Sequence, residues 1–206
     1  MENQTLEYYD KNAGDFFEGT VNIDMSSLYK RFEAYLKPNA YIMDLGCGSG
    51  RDSKYFLSRG YHVTAVDGSE QLCQLASEVI GQKVLHLRFC DLNFHEEFDA
   101  VWACASLLHV EKGRMTAVLR RVFQSIKPGG VLYASYKYGD TQRIKDNRLF
   151  NDYMEMDLDM LFSGIDDAVV KEWWISGDVR VERKNERWLN VVVGKRVDQM
   201  KFNLSE

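Results

Sequence analysis

The stretch AYIMDLGCGSG, residues 40–50, runs a short apolar segment into a glycine-spaced turn. An apolar run of this length bounded by glycines reads as a buried strand, and the glycines permit positive φ and close approach of backbone to a ligand. In an open parallel sheet, the turn that follows the first strand is where ligands bind. The rest of the chain must then supply more strands and covering helices. Further β-rich runs follow at YHVTAVD (61–67), KVLHLRF (83–89), FDAVWAC (98–104) and GVLYASY (130–136). Between them, Leu72, Leu75, Ala76, Val79 and Ile80 form one helical stripe, and Met115, Val118, Leu119, Val122 and Ile126 form another. Ser69 before Glu70 suits a helix N-cap, and Pro128-Gly129-Gly130 stops the second helix before the fifth strand. The alternation predicts an α/β fold with a largely parallel sheet.

The flanks differ from this core. Residues 139–165 read as a polar loop and a short amphipathic helix, and the stretch from Lys171 to Val197 as two or three antiparallel strands with charged turns. Upstream, 5–36 carry two aromatic-rich amphipathic segments, with Tyr8, Tyr9, Phe16, Phe17, Tyr29, Phe32 and Tyr35, expected to be helices covering the open end of the sheet. The expected organisation is one domain over 1–206: a helical cover (1–38), a ligand-binding core (40–137), and a helix with an antiparallel hairpin (138–197).

At 206 residues, with 45% apolar and 13% aromatic residues, the chain has the composition of one globular domain. The longest uncharged apolar stretch, Ala100 to Leu108, is too short to span a bilayer, and the first residues lack the pattern of a secretory signal. A cytoplasmic protein without membrane contact is expected. Cys47, Cys73, Cys90 and Cys104 include no C-x-x-C pair, so reduced thiols and no metal site are expected. A net charge of −5 gives no overall pull toward nucleic acid; DNA is not expected as a partner, and RNA is disfavoured.

Three strand ends carry acids. Asp44 precedes the glycines, Asp67 ends the second strand 23 residues later, and Asp91 follows the third. Asp44 would repel a phosphate but suits a ligand bearing an ammonium group, such as S-adenosylmethionine. Asp67 can accept hydrogen bonds from both ribose hydroxyls, as the acid does in nucleotide-binding βαβ units, and Asp91 from an adenine amino group. A nicotinamide site would want its third glycine one position later and no acid before the loop.

With these residues in view, DLGCGSG, VTAVDGS, FCDL, FDAVWACASLLHV and IKPGG, in this order and spacing over roughly 40–137, resemble the class I S-adenosylmethionine-dependent methyltransferases. The resemblance implies a Rossmann-like seven-stranded sheet, mostly parallel with an antiparallel last strand and helices on both faces, its closing hairpin falling at 169–196. It implies that Gly46, Gly48 and Gly50 wrap the amino-acid part of the cofactor, that Asp67 holds the ribose, and that Asp91 with Leu92 frames the adenine. Asp44, Cys47, Ser49, Gly68, Ser69 and Cys104 are the neighbouring positions expected at the cofactor.

The acceptor side is less marked. Cys104-Ala105-Ser106-Leu107 stands where amino-methylating nucleic-acid enzymes carry an Asn/Asp-Pro-Pro-aromatic motif, which disfavours that chemistry. His109, at the rim after the fourth strand, is the candidate general base or substrate-polarising group; packing or capping is the plainer alternative. Tyr9, Arg51, Tyr136 and Arg148 are candidate acceptor contacts, and Arg143, Arg148, Arg180 and Arg183 add local positive charge that would suit an anionic acceptor. The short length and aromatic cover are similar to small-molecule methyltransferases, including the tellurite-resistance type. A tRNA wobble-uridine side-chain methyltransferase and a catalytically silent S-adenosylmethionine-binding module are the alternatives. A monomer or homodimer is expected.

Overall fold

The computed structural model describes residues 2–197; Met1 and 198–206, part of the expected single domain, lie outside the described residues. Three helices come first: α1 (Glu2–Lys11), α2 (Ala13–Glu18) and α3 (Ser26–Glu33). The core alternates β1 (Tyr41–Leu45), α4 (Arg51–Ser58), β2 (His62–Asp67), α5 (Glu70–Ile80), β3 (Leu85–His86), β4 (Phe98–Ala103), α6 (Lys112–Ser125) and β5 (Ile126–Tyr138). Then come β6 (Gln142–Lys145), β7 (Arg148–Tyr153), α7 (Glu155–Ser163), β8 (Ala168–Gly177) and β9 (Arg187–Lys195).

Strands β3-β2-β1-β4-β5 lie side by side and parallel, β9 pairs antiparallel with β5, and β8 pairs antiparallel with β9 at the edge. Within this seven-stranded frame only β9 runs against the rest, as the resemblance implies. Side-chain alternation along each strand splits the core into two faces. On one, Ile42, Trp102 and Tyr133 pack under α3 and α4 with Phe32 and Phe56. Trp102 and Tyr133 stack at 4.0 Å, and Phe32 is fully buried against both; an aromatic of this kind contributes about 3 kcal/mol. On the other, Met43, Leu45, Val101 and Leu132 pack under α6 and α7 with Leu119 and Phe162.

Three local readings are corrected by the structure. The third strand is two residues long rather than 83–89, because Phe89–Asp91 coil into a 3-10 turn. Ile126 belongs to β5 rather than to the α6 stripe, since the helix ends at Ser125, just ahead of Pro128. Residues 142–153, expected as a polar loop, form the hairpin β6–β7, whose last pair Lys145↔Arg148 encloses Asp146 and Asn147. Both turn residues have positive φ, 51° and 60°, as a two-residue type I′ hairpin requires. Polar side chains on both faces of β6 hide this strand from a hydrophobic pattern. The hairpin branches from the sheet where β7 pairs with Lys137 and Tyr138, beyond the end of β4. It therefore stands over the C-terminal ends of the strands, beside the expected ligand crevice. No helix among the described residues is long and apolar enough to cross a membrane.

Candidate active site

A cavity of about 890 Å³ opens at the C-terminal ends of β1, β2, β4 and β5, under α1 and α2 and beside the β6–β7 hairpin. Its floor is the glycine loop. Gly46 and Cys47 donate backbone N–H bonds to the Val66 carbonyl at 2.8 and 3.0 Å, which ties the loop to β2. Gly46 has φ +77°, and a Cβ there would lie 2.5 Å from Ser106 Cβ, so neither the conformation nor the space admits a side chain. Gly46, Cys47, Gly48 and Ser49 line the cavity. Gly50 does not: its positive φ opens α4, and its missing side chain lets α4 approach Ala76 and Ile80 of α5.

At the end of β2, Asp67 lines the cavity beside Gly68 and accepts hydrogen bonds from Gly48 N (2.8 Å) and Ser69 N (2.9 Å). Burial pushes its carboxyl above the ordinary range despite these donors. Ser69 is buried as the α5 N-cap, accepting from Leu72 N, and is not part of the cavity wall. Asp91 is exposed on the far side of its 3-10 turn, and Leu92 points into the core at 1% exposure; neither lines the cavity. The shortened third strand puts Leu87, Phe89 and Cys90 there instead.

Asp44 is also displaced from its expected role. Strand alternation sends it to the face of Ile42, beneath α4, where it accepts a 2.6 Å hydrogen bond from Ser53 and is 1% exposed. Burial, then the neighbouring Asp52 charge, raises its carboxyl well above the usual range. The carboxylate that does line the cavity here is Asp52, which sequence reasoning passed over. It takes a two-pronged bond from Arg51 (2.6 and 3.0 Å), the Tyr29 hydroxyl (2.5 Å) and Trp102 Nε1 (2.8 Å). Burial works against the charge, but Arg51 and the other donors outweigh it and hold Asp52 below the ordinary range. The available signal was an Arg-Asp pair in the first turn of the helix after the glycines, where acids are favoured. Arg51 lines the cavity, though its guanidinium is committed to Asp52; Cys104 also lines it, its thiol pushed up to about 12 by burial.

On the acceptor side, Tyr9, His109 and Arg148 meet. His109 Nδ1 bonds the Leu149 carbonyl at 2.6 Å, so this nitrogen carries the proton, and Nε2 accepts from the Tyr9 hydroxyl at 2.9 Å. Burial, chiefly, pushes the imidazole down to about 4. It is neutral at physiological pH and has both nitrogens engaged, an arrangement that orients Tyr9 rather than one poised to take a proton. Tyr136 is fully buried against Tyr153 and faces away from the cavity. Alternation along β5 presents Ser135 and Lys137 to the cavity instead.

A stability effect follows from His109. Its folded pKa lies below the unfolded value of about 6.5, so the unfolded chain binds a proton first as pH falls, and stability drops between pH ~6.5 and ~4 by at most about 3 kcal/mol. Urea unfolding of the wild type and of His109→Gln at pH 7 and pH 5 checks this: the wild type is expected to lose more, and equal losses would refute it.

A methyltransferase-domain family model matches residues 42–130. YqeM of Bacillus subtilis is 31% identical over 123 residues, 54% of this chain and 49% of that protein. The malonyl-[acyl-carrier protein] O-methyltransferase of Salmonella typhimurium is 32% identical over 97 residues, covering 45% and 37%. The chain thus spans about half the length, or less, of these curated relatives. Among solved structures, the Burkholderia thailandensis 1,6-didemethyltoxoflavin-N1-methyltransferase, with bound 1,6-didemethyltoxoflavin and S-adenosylhomocysteine, superposes with a TM-score of 0.78 at 21% identity, over 94% of this chain and 88% of that one. The matched domain, the strand order and the glycine loop agree with one another, and the chain carries a methyltransferase domain over residues 42–130.

Proposed function

We propose that the chain transfers the methyl group of S-adenosylmethionine to a small-molecule acceptor held beneath its N-terminal helices. The observation that carries this reading is the roof. Three side chains tie α1 across the cavity: Asp10 accepts from Ser69 Oγ (2.6 Å) and Gln71 N (3.2 Å), Tyr9 bonds His109, and Thr5 Oγ1 accepts from Leu149 N (3.2 Å). A covered site of this volume suits a small molecule, whereas RNA would want an open basic groove.

The residues present fit the cofactor. The glycine loop, tied to β2, presents its backbone to the cavity, Asp67 supplies acceptors for ribose hydroxyls, and the Asp52 carboxylate lines the wall beside the loop. When bound, S-adenosylmethionine supplies a methyl group on a sulfonium: the acceptor lone pair forms the new bond as the carbon–sulfur pair returns to sulfur, and an acceptor proton leaves to solvent. The protein's part is alignment and exclusion of water. Tyr9, oriented by His109, would hold the acceptor end, and Phe16 and Leu28 would close the sides.

Calorimetry with S-adenosylhomocysteine is the first test, and absence of binding would sink the reading. Labelled methyl from S-adenosylmethionine is then expected in the small-molecule fraction of a cell extract. Label appearing only in RNA would favour the tRNA alternative, and binding without any transfer would favour a silent module.

A further inference from the structure

Several cations on the cavity wall are neutralised by buried acids built into the same wall. Arg51 meets Asp52, Arg143 meets Asp152, and Lys137 and Arg180 share Asp178; the side chains of these acids are at most 7% exposed. Arg148 differs. Its side chain is 17% exposed, and the carboxylate that it meets among the described residues, Asp146, sits at the hairpin tip, 56% exposed and 3.3 Å from one terminal nitrogen. Its Nε is buried with no hydrogen-bond partner among the described residues. The guanidinium lies over Tyr8 (4.2 Å), Phe150 (5.2 Å) and Tyr9 (5.8 Å). Ring faces attract the charge, but they do not accept its in-plane N–H groups. A desolvated guanidinium with an open in-plane donor and a solvent-screened counterion is under-compensated, and a planar carboxylate matches that deficit in charge and geometry.

The location is the acceptor end. Arg148 opens β7, the next residue's carbonyl holds His109, and the guanidinium lies 5.8 Å from the Tyr9 ring centre. The glycine loop has its own arginine, Arg51. A single guanidinium already partly screened by Asp146 suits a monoanion better than a phosphate dianion.

We propose that Arg148 anchors the acceptor and that the methyl acceptor is a small molecule bearing a carboxylate. This rests on the reading of the cavity as a methyl-transfer site. The full-length protein, saturated with S-adenosylhomocysteine, is titrated calorimetrically with acetate, benzoate, their amides and phenyl phosphate. At least one carboxylate is expected to bind about tenfold more tightly than its amide. Arg148→Gln is expected to erase the difference while leaving S-adenosylhomocysteine affinity within about twofold, and Arg148→Lys to keep part of it. Unfolding midpoints report whether each variant folds; if the glutamine variant does not, the wild-type carboxylate–amide difference and the lysine variant decide. No carboxylate preference in the wild type, or one that survives Arg148→Gln, overturns the proposal. Phenyl phosphate binding more tightly than benzoate overturns the carboxylate assignment. Loss of S-adenosylhomocysteine affinity rather than of carboxylate preference in Arg148→Gln also overturns it, by assigning the arginine to the cofactor. Failure of the wild type to bind S-adenosylhomocysteine strikes the underlying reading instead.

Discussion

Asp52→Ala is expected to destabilise the protein by about 3–5 kcal/mol, the cost of removing one partner from a buried ion pair. The carboxylate is 5% exposed and serves donors from three elements: Arg51 at the start of α4, Tyr29 of α3 and Trp102 of β4. Removing it strands the guanidinium and leaves two further buried donors unmet. Asp52→Asn keeps the volume and one acceptor oxygen, so it should lose less, but the Arg51 charge stays uncompensated. Urea unfolding followed by tryptophan fluorescence measures both effects. A loss below about 1 kcal/mol for the alanine variant would show that water replaces the carboxylate, and the hub would then not be structural.

Asp67→Ala should act on the cofactor instead, weakening S-adenosylhomocysteine about a hundredfold. Two charge-assisted hydrogen bonds to ribose hydroxyls, at roughly 1.5–3 kcal/mol each, set that scale. The same carboxylate holds the N–H groups of Gly48 and Ser69, so part of the loss would come from a loosened glycine loop. The separating measurement is the dissociation constant against the unfolding midpoint. A variant that binds normally, or one whose affinity loss is matched by loss of the fold, would remove Asp67 from the binding role.

The class of fold was legible because its signals are local. Alternating apolar runs, helical stripes and a glycine turn after the first strand leave few topologies, and the Ser69 cap and the stop at Pro128 act over one or two turns of chain. The β6–β7 hairpin was not legible from apolar pattern, since β6 is largely polar and the punctuation between its strands is Asp146-Asn147, a turn whose positive φ values appear only in the folded backbone.

The three acids show where sequence reasoning stops. That acids stand near the ends of β1 and β2 and after β3 is a fact of spacing; whether each reaches the ligand depends on which way its strand faces and where the strand ends. Asp67 ends its strand and lines the cavity, Asp44 lies one residue before the end of its strand and faces α4, and Asp91 is turned outward by the 3-10 coil. The same parity removes Tyr136 and admits Ser135 and Lys137. The pairing of Tyr9 with His109, 100 residues apart, and the seating of Arg148 among Tyr8, Tyr9 and Phe150, arise only when α1 closes over the hairpin. The sequence by itself determined the sheet frame and the kind of ligand loop, because hydrophobic period and glycine geometry are written residue by residue. Which side chains share the cavity, and which charges within it stay uncompensated, was decided by tertiary packing, because facing and desolvation exist only once the layers have met.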